Sequence, residues 1–256
     1  MANPLISCII PVFNGERYLG EALDSILAQA YRPIEIVVID DGSTDGTSEV
    51  VARYGDRIRY FRQNNEGAPT ARNAGLSAAR GVFVAFLDSD DLWHPDKLER
   101  QMARFEARPE LDLCVTHLQR FWIPELETER KRFQDHRLAE VLPGYITQTL
   151  LARRNVFNSV GYFNTSRRVG DPMDWFLRAA EQGVVMELLP DLLVYQRMHE
   201  SNLSVELGTR AMKPHMQDAI LDVVKASLDR RRQQNHAHPM TLNFPLVHSD
   251  KKSKPG

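Results

Sequence analysis

Three uninterrupted apolar runs in the first third of the sequence restrict its fold more than any other feature. They read ISCIIPV at Ile6–Val12, IEIVVID at Ile34–Asp40 and GVFVAFLD at 81–88. Apolar runs of this length without polar alternation indicate strands that are buried on both faces. A segment with helical spacing follows each run. This order predicts an α/β domain whose central sheet is mostly parallel and flanked by helices.

The segments between the runs carry helix signals. Asn14 is expected to cap a helix that ends near Gln29. Its buried stripe is predicted to consist of Leu19, Leu23, Ile26 and Ala30. Pro69 and Pro95 are predicted to open two further helices, because proline is tolerated in a first helical turn.

Polar clusters follow three of the predicted strands, at 11–14, 40–45 and 88–91. The carboxyl ends of parallel strands lie at one edge of a sheet, where ligands of such folds bind. The three clusters are therefore predicted to converge on one site.

Asp88, Asp90 and Asp91 form the most acidic of these clusters. Neighbouring carboxylates repel one another unless a cation lies among them. Oxygen ligands of this kind suit Mg²⁺ or Mn²⁺ that also binds phosphate oxygens. For Asp88 and Asp90 this favours metal and ligand contact. For Asp91 alone the favoured interpretation is a solvated turn in which Asp91 caps the next helix.

The cluster after the second strand allows two interpretations. Asp41 is placed to accept hydrogen bonds from a base or a ribose. Alternatively, Asp40, Ser43 and Asp45 cap the following helix. The residues alone leave both open.

Arg72 lies in the first turns of the helix after Gly67, a place that favours anion binding. It is equally suited to an internal ion pair with the Asp88 cluster. The two roles are compatible with each other.

Four segments together resemble a known family. SCIIPVFNGERYLGEALDSILAQAY, EIVVIDDGSTDGT, NNEGAPTARNAGLSAARG and VFVAFLDSDDLWHPDKLERQ occur in the order and spacing of family 2 glycosyltransferases. The resemblance is strong over 6–104 and weaker beyond. It implies the GT-A fold, which is Rossmann-like. It also implies an inverting, hexosyl-type transfer from a nucleoside-diphosphate sugar, with UDP-sugars preferred, to an acceptor hydroxyl.

The resemblance also implies roles for individual residues. The nucleotide would be bound by Pro11, Phe13, Asn14, Asp41, Arg72, Asp88 and Ser89. Asp88, Ser89 and Asp90 match the DxD motif, so Asp90, with Asp88, would hold Mn²⁺ or Mg²⁺. His199 follows the last predicted sheet strand and would complete this metal site.

The general base of the family is an aspartate, often in an ED pair before a helix. Here that segment reads GDPMDW, so Pro172 stands where the resemblance places the base. The base is then Asp171 or Asp174, and the loop position before the helix favours Asp171. The third possibility is that this protein has lost the general base.

The rest of the chain suggests one domain with a C-terminal extension. Residues 1–205 are predicted to form the GT-A domain, with nucleotide binding in 1–110 and acceptor binding in 111–205. An amphipathic helix is expected over 206–234 and a disordered tail over 235–256. The inward residues of that helix are predicted to be Met216, Ile220, Val223, Val224 and Leu228. The charged stretch at 125–140 is expected to shape or cover the acceptor pocket, and to be mobile without ligand and ordered with nucleotide.

Composition narrows the classes of function. The two cysteines, Cys8 and Cys114, lie in apolar runs, which argues against a disulfide scaffold and suits a reducing compartment. The net charge of −2 does not indicate nucleic-acid binding. No apolar run approaches the ~18 residues of a membrane span, and no basic region precedes the first one. These features predict a cytoplasmic protein, with peripheral contact at the inner membrane face as the second option.

Two other functions remain as alternatives. A nucleotidyltransferase would also use a metal and an α/β sheet, but the loop after the first strand has a single glycine. A catalytically impaired nucleotide-sugar-binding protein or partner subunit is suggested only by Pro172. The expected partners are a nucleotide sugar and a carbohydrate, lipid-linked or other hydroxyl acceptor, with no nucleic acid.

Overall fold

The computed structural model describes residues 3–133, 139–167, 170–200, 205–206, 211–212 and 214–235. The predicted tail lies outside this range, apart from its first residue. The strands are β1 (Ile6–Val12), β2 (Ile34–Asp40), β3 (Ile58–Arg62), β4 (Phe83–Phe86), β5 (Leu92–Trp93), β6 (Leu113–Trp122), β7 (Leu142–Pro143), β8 (Leu151–Arg153), β9 (Met186–Met198), β10 (Val205–Glu206) and β11 (Ala211–Met212). The helices are α1 (Leu19–Leu27), α2 (Thr47–Ala52), α3 (Ala68–Ala78), α4 (Lys97–Ala107), α5 (Glu127–Phe133), α6 (Val156–Val160), α7 (Asp171–Glu181) and α8 (Pro214–Asn235).

The strands of the main sheet lie in the order β3-β2-β1-β4-β8-β6-β9-β5, and β7 pairs with β6. The long pairings, β2 with β3, β1 with β2, β1 with β4, and β6 with β9, are parallel. The shorter pairings that involve β5, β7 and β8 are antiparallel. The predicted α/β class with a mostly parallel central sheet is therefore confirmed.

Helices cover both faces of this sheet. The apolar side chains of α1, α2 and α4 pack into one core layer with β1 and β2. Those of α3, α6 and α7 pack into a second layer on the opposite face. All seven residues of β1 are buried, as expected for a strand enclosed by both layers.

The first helix differs from its predicted form at both ends. It begins at Leu19, and Asn14 does not cap it. Asn14 instead adopts a left-handed backbone with φ of 53°, and its Oδ1 accepts a hydrogen bond from Thr44 N at 2.8 Å. Ala30 lies beyond the end of the helix and is exposed. The predicted buried stripe is confirmed at Leu19, Leu23 and Ile26.

The last described helix, α8, packs on α7 through polar groups. Residue 206, the predicted start of the helix, lies in the β10–β11 ladder, and α8 begins at Pro214. Val223 is buried as predicted, but Val224 and Leu228 are 37% and 47% exposed. The sequence pattern was misleading because Arg230 Nε donates to Glu181 Oε2 of α7 at 2.7 Å, which turns a polar face inward. The side chain of Met216 lies outside the described residues.

A lysine of α4 is completely buried. Lys97 is 0% exposed, and its Nζ donates to Gln101 Oε1 at 2.8 Å. The Nζ also lies 4.2 Å from the ring centroid of Trp93, a cation–π contact. No carboxylate in the described part of the chain forms an ion pair with it. Burial lowers the pKa of Lys97 to about 7, although the nearby thiols of Cys8 and Cys114 oppose this.

Replacing Lys97 by methionine is expected to raise the free energy of unfolding at pH 6 and to raise it less at pH 9. The pKa of Lys97 is 10.5 in the unfolded chain and about 7 in the folded protein. Between these values the unfolded state holds more protons, so wild-type stability rises with pH through this window. Urea denaturation of both proteins across pH 6–9 measures the effect. The exposed Lys225→Met is the control. A stability difference that is constant with pH would contradict the burial effect.

Candidate active site

The three predicted polar clusters meet at the carboxyl edge of β1, β2 and β4. Asn14 N donates to Ser43 Oγ and Gly15 N donates to Thr47 Oγ1, each at 2.9 Å, so the first two loops are joined. A Cβ placed on Gly15 would lie 3.6 Å from Ser89 Cβ, which brings the third cluster alongside. Parallel pairing produces this convergence, because the strands end at the same edge.

Pro11 and Phe13 contribute differently to this edge. Pro11 is buried and pairs with Ile39 of β2. Phe13 is 49% exposed although it is large and apolar, so its ring is available to a ligand. The nucleotide-binding role that the resemblance implies for both residues stays a prediction.

Asp41 is buried at the end of β2, and its carboxylate is engaged by the protein itself. Its Oδ1 accepts from Gln63 Nε2 at 2.8 Å and from Glu66 N at 2.9 Å, and its Oδ2 accepts from Gly67 N at 2.7 Å. Asp41 thereby fixes the loop that leads into α3. The expected contact with a nucleotide stays a prediction.

The alternative capping role of the same cluster is seen in part. Asp40 Oδ1 accepts from Ser43 N at 2.7 Å, which closes the turn after β2. Asp45 Oδ1 accepts from Thr47 N at 3.1 Å at the start of α2. These residues hold the turn and do not face a ligand through the bonded oxygens.

One buried guanidinium joins the two halves of the site. Arg72 Nη2 lies 3.1 Å from Asp88 Oδ1, and Arg72 Nη1 lies 2.8 Å from Asp171 Oδ2. Asp88 follows β4, and Asp171 is the first residue of α7, so the contact spans the nucleotide-binding and acceptor-binding segments predicted from the sequence. The expected internal ion pair of Arg72 is therefore present. We call Asp88, Arg72 and Asp171 the arginine bridge.

Asp90 and His199 form a second contact beside the arginine bridge. His199 Nε2 lies 2.9 Å from Asp90 Oδ2. Arg197, two residues before His199, donates from Nε to the backbone oxygen of Asp90 at 2.9 Å. The ring of His199 also lies against Tyr18, with centroids 5.0 Å apart. The structure thus brings together Asp90 and His199, the two residues to which the sequence assigned metal binding alongside Asp88.

Asp91 has a different role from the one expected. It is buried and does not cap α4, whose cap residue is Asp96. Its Oδ1 accepts from Arg197 N at 2.9 Å, and its Oδ2 accepts from Gln148 Nε2 at 3.2 Å. The capping interpretation of Asp91 is wrong because the chain turns inward after Asp90 and pairs with the end of β9.

Gln148 is a site residue that the sequence did not reveal. Its Nε2 donates to Asp88 Oδ2 as well as to Asp91, so one amide spans two of the clustered carboxylates. Its backbone oxygen accepts from Trp93 Nε1 at 2.9 Å, which fixes the segment. It lies in a short TQT turn without any motif, and no sequence signal distinguishes it.

The crowded carboxylates have perturbed ionisation. Burial raises the pKa of Asp88, although Arg72 opposes this, and the charge of Asp90 raises it further. Burial and the charges of Asp90 and Asp88 raise the pKa of Asp91 well above its ordinary value. A cation bound beside Asp90 would stabilise the ionised forms of Asp88 and Asp91.

Asp171 and Asp174 face different surroundings, although they share the first turn of α7. Burial raises the pKa of Asp171, and Arg72 opposes this shift. Asp174 is also buried, but it pairs with Arg178 at 2.9 Å and with Arg230 of α8 at 3.4 Å. Only Asp171 is joined to the Asp88 cluster.

The donor atoms present fit a divalent cation that takes part of its shell from a substrate. Asp90 Oδ2 and His199 Nε2 are neighbouring ligand atoms. Within the described residues no group of three or more His, Cys, Asp or Glu side chains is arranged to hold a metal. Mg²⁺ and Mn²⁺ at phosphate sites commonly use one or two protein carboxylates and complete their shell with phosphate oxygens and water.

Comparison with known proteins identifies the family. The sequence model described as Glycosyl transferase family 2 matches residues 7–170. The chain belongs to glycosyl transferase family 2. The matched region contains β1 to β8 and the Asp88 cluster, and it ends just before α7.

Relatives of this family 2 chain include proteins of several bacteria. An uncharacterized glycosyltransferase of Rickettsia typhi is 33% identical over 211 residues, which cover 78% of this chain and 65% of that protein. TuaG of Bacillus subtilis, a putative teichuronic acid biosynthesis glycosyltransferase, is 43% identical over 104 residues, 39% of this chain and 41% of that protein. Among eight such relatives, the chain spans 15–66% of their length.

Solved structures of similar fold are GT-A glycosyltransferases. TarS of S. aureus, residues 1–349 in complex with UDP-GlcNAc, superimposes with a TM-score of 0.66 at 20% identity, over 86% of this chain and 65% of that one. The mannosyltransferase PcManGT of Pyrobaculum calidifontis, in complex with GDP-Man and Mn²⁺, gives a TM-score of 0.60 at 19% identity, over 93% and 77%. At these identities the likeness establishes the GT-A fold of the family 2 chain.

None of the helices in the described ranges combines the length and the apolar character that a membrane crossing needs.

Proposed function

We propose that this family 2 protein transfers a sugar from a nucleoside-diphosphate sugar to an acceptor hydroxyl, in one displacement that inverts the anomeric carbon. The observation that supports this most strongly is the arginine bridge. It holds one carboxylate from the nucleotide-binding half and one from the acceptor-binding half on the same guanidinium. A single displacement needs a base for the acceptor and stabilisation of the leaving diphosphate on the opposite face of the sugar, and the bridge brings one carboxylate from each half to the same place.

The nucleoside diphosphate is assigned to the edge formed by β1, β2 and β4. Phe13 offers an exposed ring for the base, and Asp88 and Ser89 follow β4, the strand that pairs with β1. Pro11, Asn14 and Asp41 shape the surrounding loops. The UDP-GlcNAc and GDP-Man complexes of proteins with this fold support a nucleotide-sugar donor and leave the base open. A UDP-sugar is our preferred donor.

Asp90 and His199 are assigned to the metal, with Asp88 near its ligand shell. Bound there, Mn²⁺ or Mg²⁺ would neutralise the charge that develops on the departing diphosphate. A carboxylate beside an imidazole favours Mn²⁺, because Mg²⁺ prefers oxygen ligands. The Mn²⁺ complex of PcManGT supports this choice.

Asp171 is assigned as the general base. An acceptor hydroxyl is too weakly acidic to attack without proton removal. Burial raises the pKa of Asp171, which makes its ionised form a stronger proton acceptor than an exposed aspartate. Arg72 keeps the carboxylate oriented, and the proton of the acceptor moves to the Asp171 carboxylate. Pro172 occupies the second position of α7 without displacing Asp171 from the bridge.

A thermal unfolding series tests this function. We expect one nucleoside diphosphate among UDP, GDP, dTDP and ADP, compared with CMP, to raise the Tm by about 5–10 °C at a hundred times its Kd, and only together with Mn²⁺. The metal or the nucleotide alone is the internal control. A folded protein that responds to none of them would favour the alternative of an impaired binder or a partner subunit. Family membership favours sugar transfer over nucleotidyl transfer.

A further inference from the structure

Two side chains of β6 carry buried hydrogen-bond donors that lack an acceptor. Arg120 Nε, Arg120 Nη1 and Trp122 Nε1 are inaccessible to solvent and have no hydrogen-bond partner in the part of the chain that the structure describes. Arg72 and Arg230 also have an unpartnered nitrogen, but both form ion pairs with aspartates. Arg120 forms no ion pair with any described residue. We call Arg120 and Trp122 the β6 donor pair.

The β6 donor pair lies on one face of the sheet. Alternate residues of a strand point to the same side, about 7 Å apart along the chain. Arg120 is in register with Gln196 of β9, and Trp122 with Met198, without a register shift in this stretch. Arg120 and Trp122 are therefore neighbours on the same face of β6.

This location borders the candidate active site. Gln196, the register partner of Arg120, directly precedes Arg197, whose backbone nitrogen donates to Asp91 Oδ1 at 2.9 Å. Arg197 in turn holds the backbone of Asp90. Burial lowers the pKa of Arg120, and the negative charge of Asp91 partly opposes this. The donor pair is thus next to the metal-binding end of the site, in the predicted acceptor half.

The nitrogens of the pair are covered, whereas other atoms of both side chains are exposed. Helix α5 lies over this face, because the ring of Phe133 stacks on Trp122 with centroids 5.9 Å apart and planes at 25°. Both Arg120 and Trp122 are only partly buried as whole residues, so solvent reaches other atoms of each side chain. An anion would therefore reach the nitrogens through a movement of these two side chains, without the sheet opening.

A buried guanidinium without a partner destabilises the folded protein, whereas the same group in contact with an anion stabilises it. Its planar nitrogens match the two oxygens of a phosphate or a carboxylate, and an indole N–H adds one further donor. We propose that the β6 donor pair binds an oxyanion group, a phosphate or a carboxylate, of a substrate of this enzyme. That the anion belongs to a substrate rests on the proposed function, whereas the existence of an anion site does not.

The test combines thermal unfolding with phosphate titration of the full chain. Arg120→Met is expected to raise the Tm of the ligand-free protein by about 2–4 °C, because it removes an unpaired buried charge. It is expected to weaken the binding of inorganic phosphate by about 10–100-fold, the loss of hydrogen bonds to a charged group. Trp122→Phe keeps the stacking on Phe133 and is expected to weaken phosphate binding by about 3–10-fold.

Arg59→Met is the matched control. Arg59 is also partly buried, but it pairs with Glu35 and donates to the backbone oxygen of Ala78, each at 2.8 Å. Its loss is expected to lower the Tm and to leave phosphate binding unchanged. The opposite signs of the two Tm changes distinguish a ligand site from a structural arginine. If Arg120→Met does not fold, Arg120→Lys and Trp122→Phe still report on phosphate.

A repeat of the titration with saturating UDP and Mn²⁺ identifies the source of the anion. Displacement of phosphate by UDP assigns the pair to the donor diphosphate, and a Kd unchanged within about twofold assigns it to an anionic acceptor. If UDP does not bind, the proposed UDP-sugar donor is wrong. The titrations with inorganic phosphate still test the β6 donor pair in that case. The proposal is overturned if the wild-type protein shows no saturable phosphate binding up to ~10 mM. It is also overturned if Arg120→Met binds phosphate like the wild type, or if it loses stability as Arg59→Met does.

Discussion

Asp171→Asn is expected to lower kcat by about 10²–10⁴-fold, the range of a lost general base, with little change in the KM of the donor. Asparagine has the same shape and still accepts a hydrogen bond from Arg72, so the arginine bridge keeps its geometry while the proton acceptor is lost. The measurement is steady-state transfer with the nucleotide sugar that the thermal series identifies. Full activity in this variant would remove Asp171 from the mechanism.

Asp174→Asn is the matched control for this result. It changes the same residue type one helical turn further on, where the carboxylate pairs with Arg178 and Arg230. We expect it to lower the Tm rather than kcat, because it leaves buried cations without their partner. If kcat falls in Asp174→Asn and not in Asp171→Asn, the base is Asp174.

The pH profile of the wild type carries a second signature of the base. A general base acts in its ionised form, so kcat rises as the pH increases through its pKa. Burial raises the pKa of Asp171 above the ordinary aspartate value, and the positive charge of Arg72 limits the rise. The acidic limb of the profile is therefore expected above the pH at which an exposed aspartate ionises. Asp171→Asn should remove this limb.

Asp90→Asn is expected to lower kcat by about 10³-fold or more and to remove the Mn²⁺-dependent part of the nucleotide-induced Tm rise. The neutral amide retains a weak ligand oxygen but not the charge that attracts a divalent cation. His199→Ala is expected to give a milder form of the same defect, in which a higher Mn²⁺ concentration restores the activity. Thermal unfolding with UDP across a Mn²⁺ titration measures both variants.

Asp96→Asn is the control for the Asp90 variant. Asp96 lies five residues after Asp91 in the sequence. Its carboxylate pairs with Arg100 on the surface of α4 at 3.3 Å. Its replacement should leave the Mn²⁺ titration unchanged. If Asp90→Asn retains the wild-type metal dependence, the assignment of Asp90 and His199 is wrong.

The sequence alone determined the sheet and the edge at which the site lies. Uninterrupted apolar runs specify strands buried on both faces, and the segments between them have helical spacing, so Ile6–Val12 and Ile34–Asp40 were predicted with the bounds that the structure shows. These signals are local: each run must be buried wherever it lies. The parallel order then brings the strand-end clusters together by geometry, which placed Asp88, Asp90 and Asp41 at one edge.

Only the tertiary structure decided which polar groups pair across the site. The sequence suggested an ion pair of Arg72 with the Asp88 cluster, but nothing in it indicates that Arg72 also binds Asp171 or that Gln148 spans Asp88 and Asp91. Nor does it indicate that nitrogens of Arg120 lack a hydrogen-bond partner among the described residues. The same holds for α8, whose polar side chains face α7 and leave Leu228 exposed. Hydrogen bonds and ion pairs depend on the direction and distance of atoms that are far apart in the chain. Burial of apolar runs depends mainly on composition and period, so the sequence predicted the fold. The partners in hydrogen bonds and ion pairs were decided only by the three-dimensional arrangement.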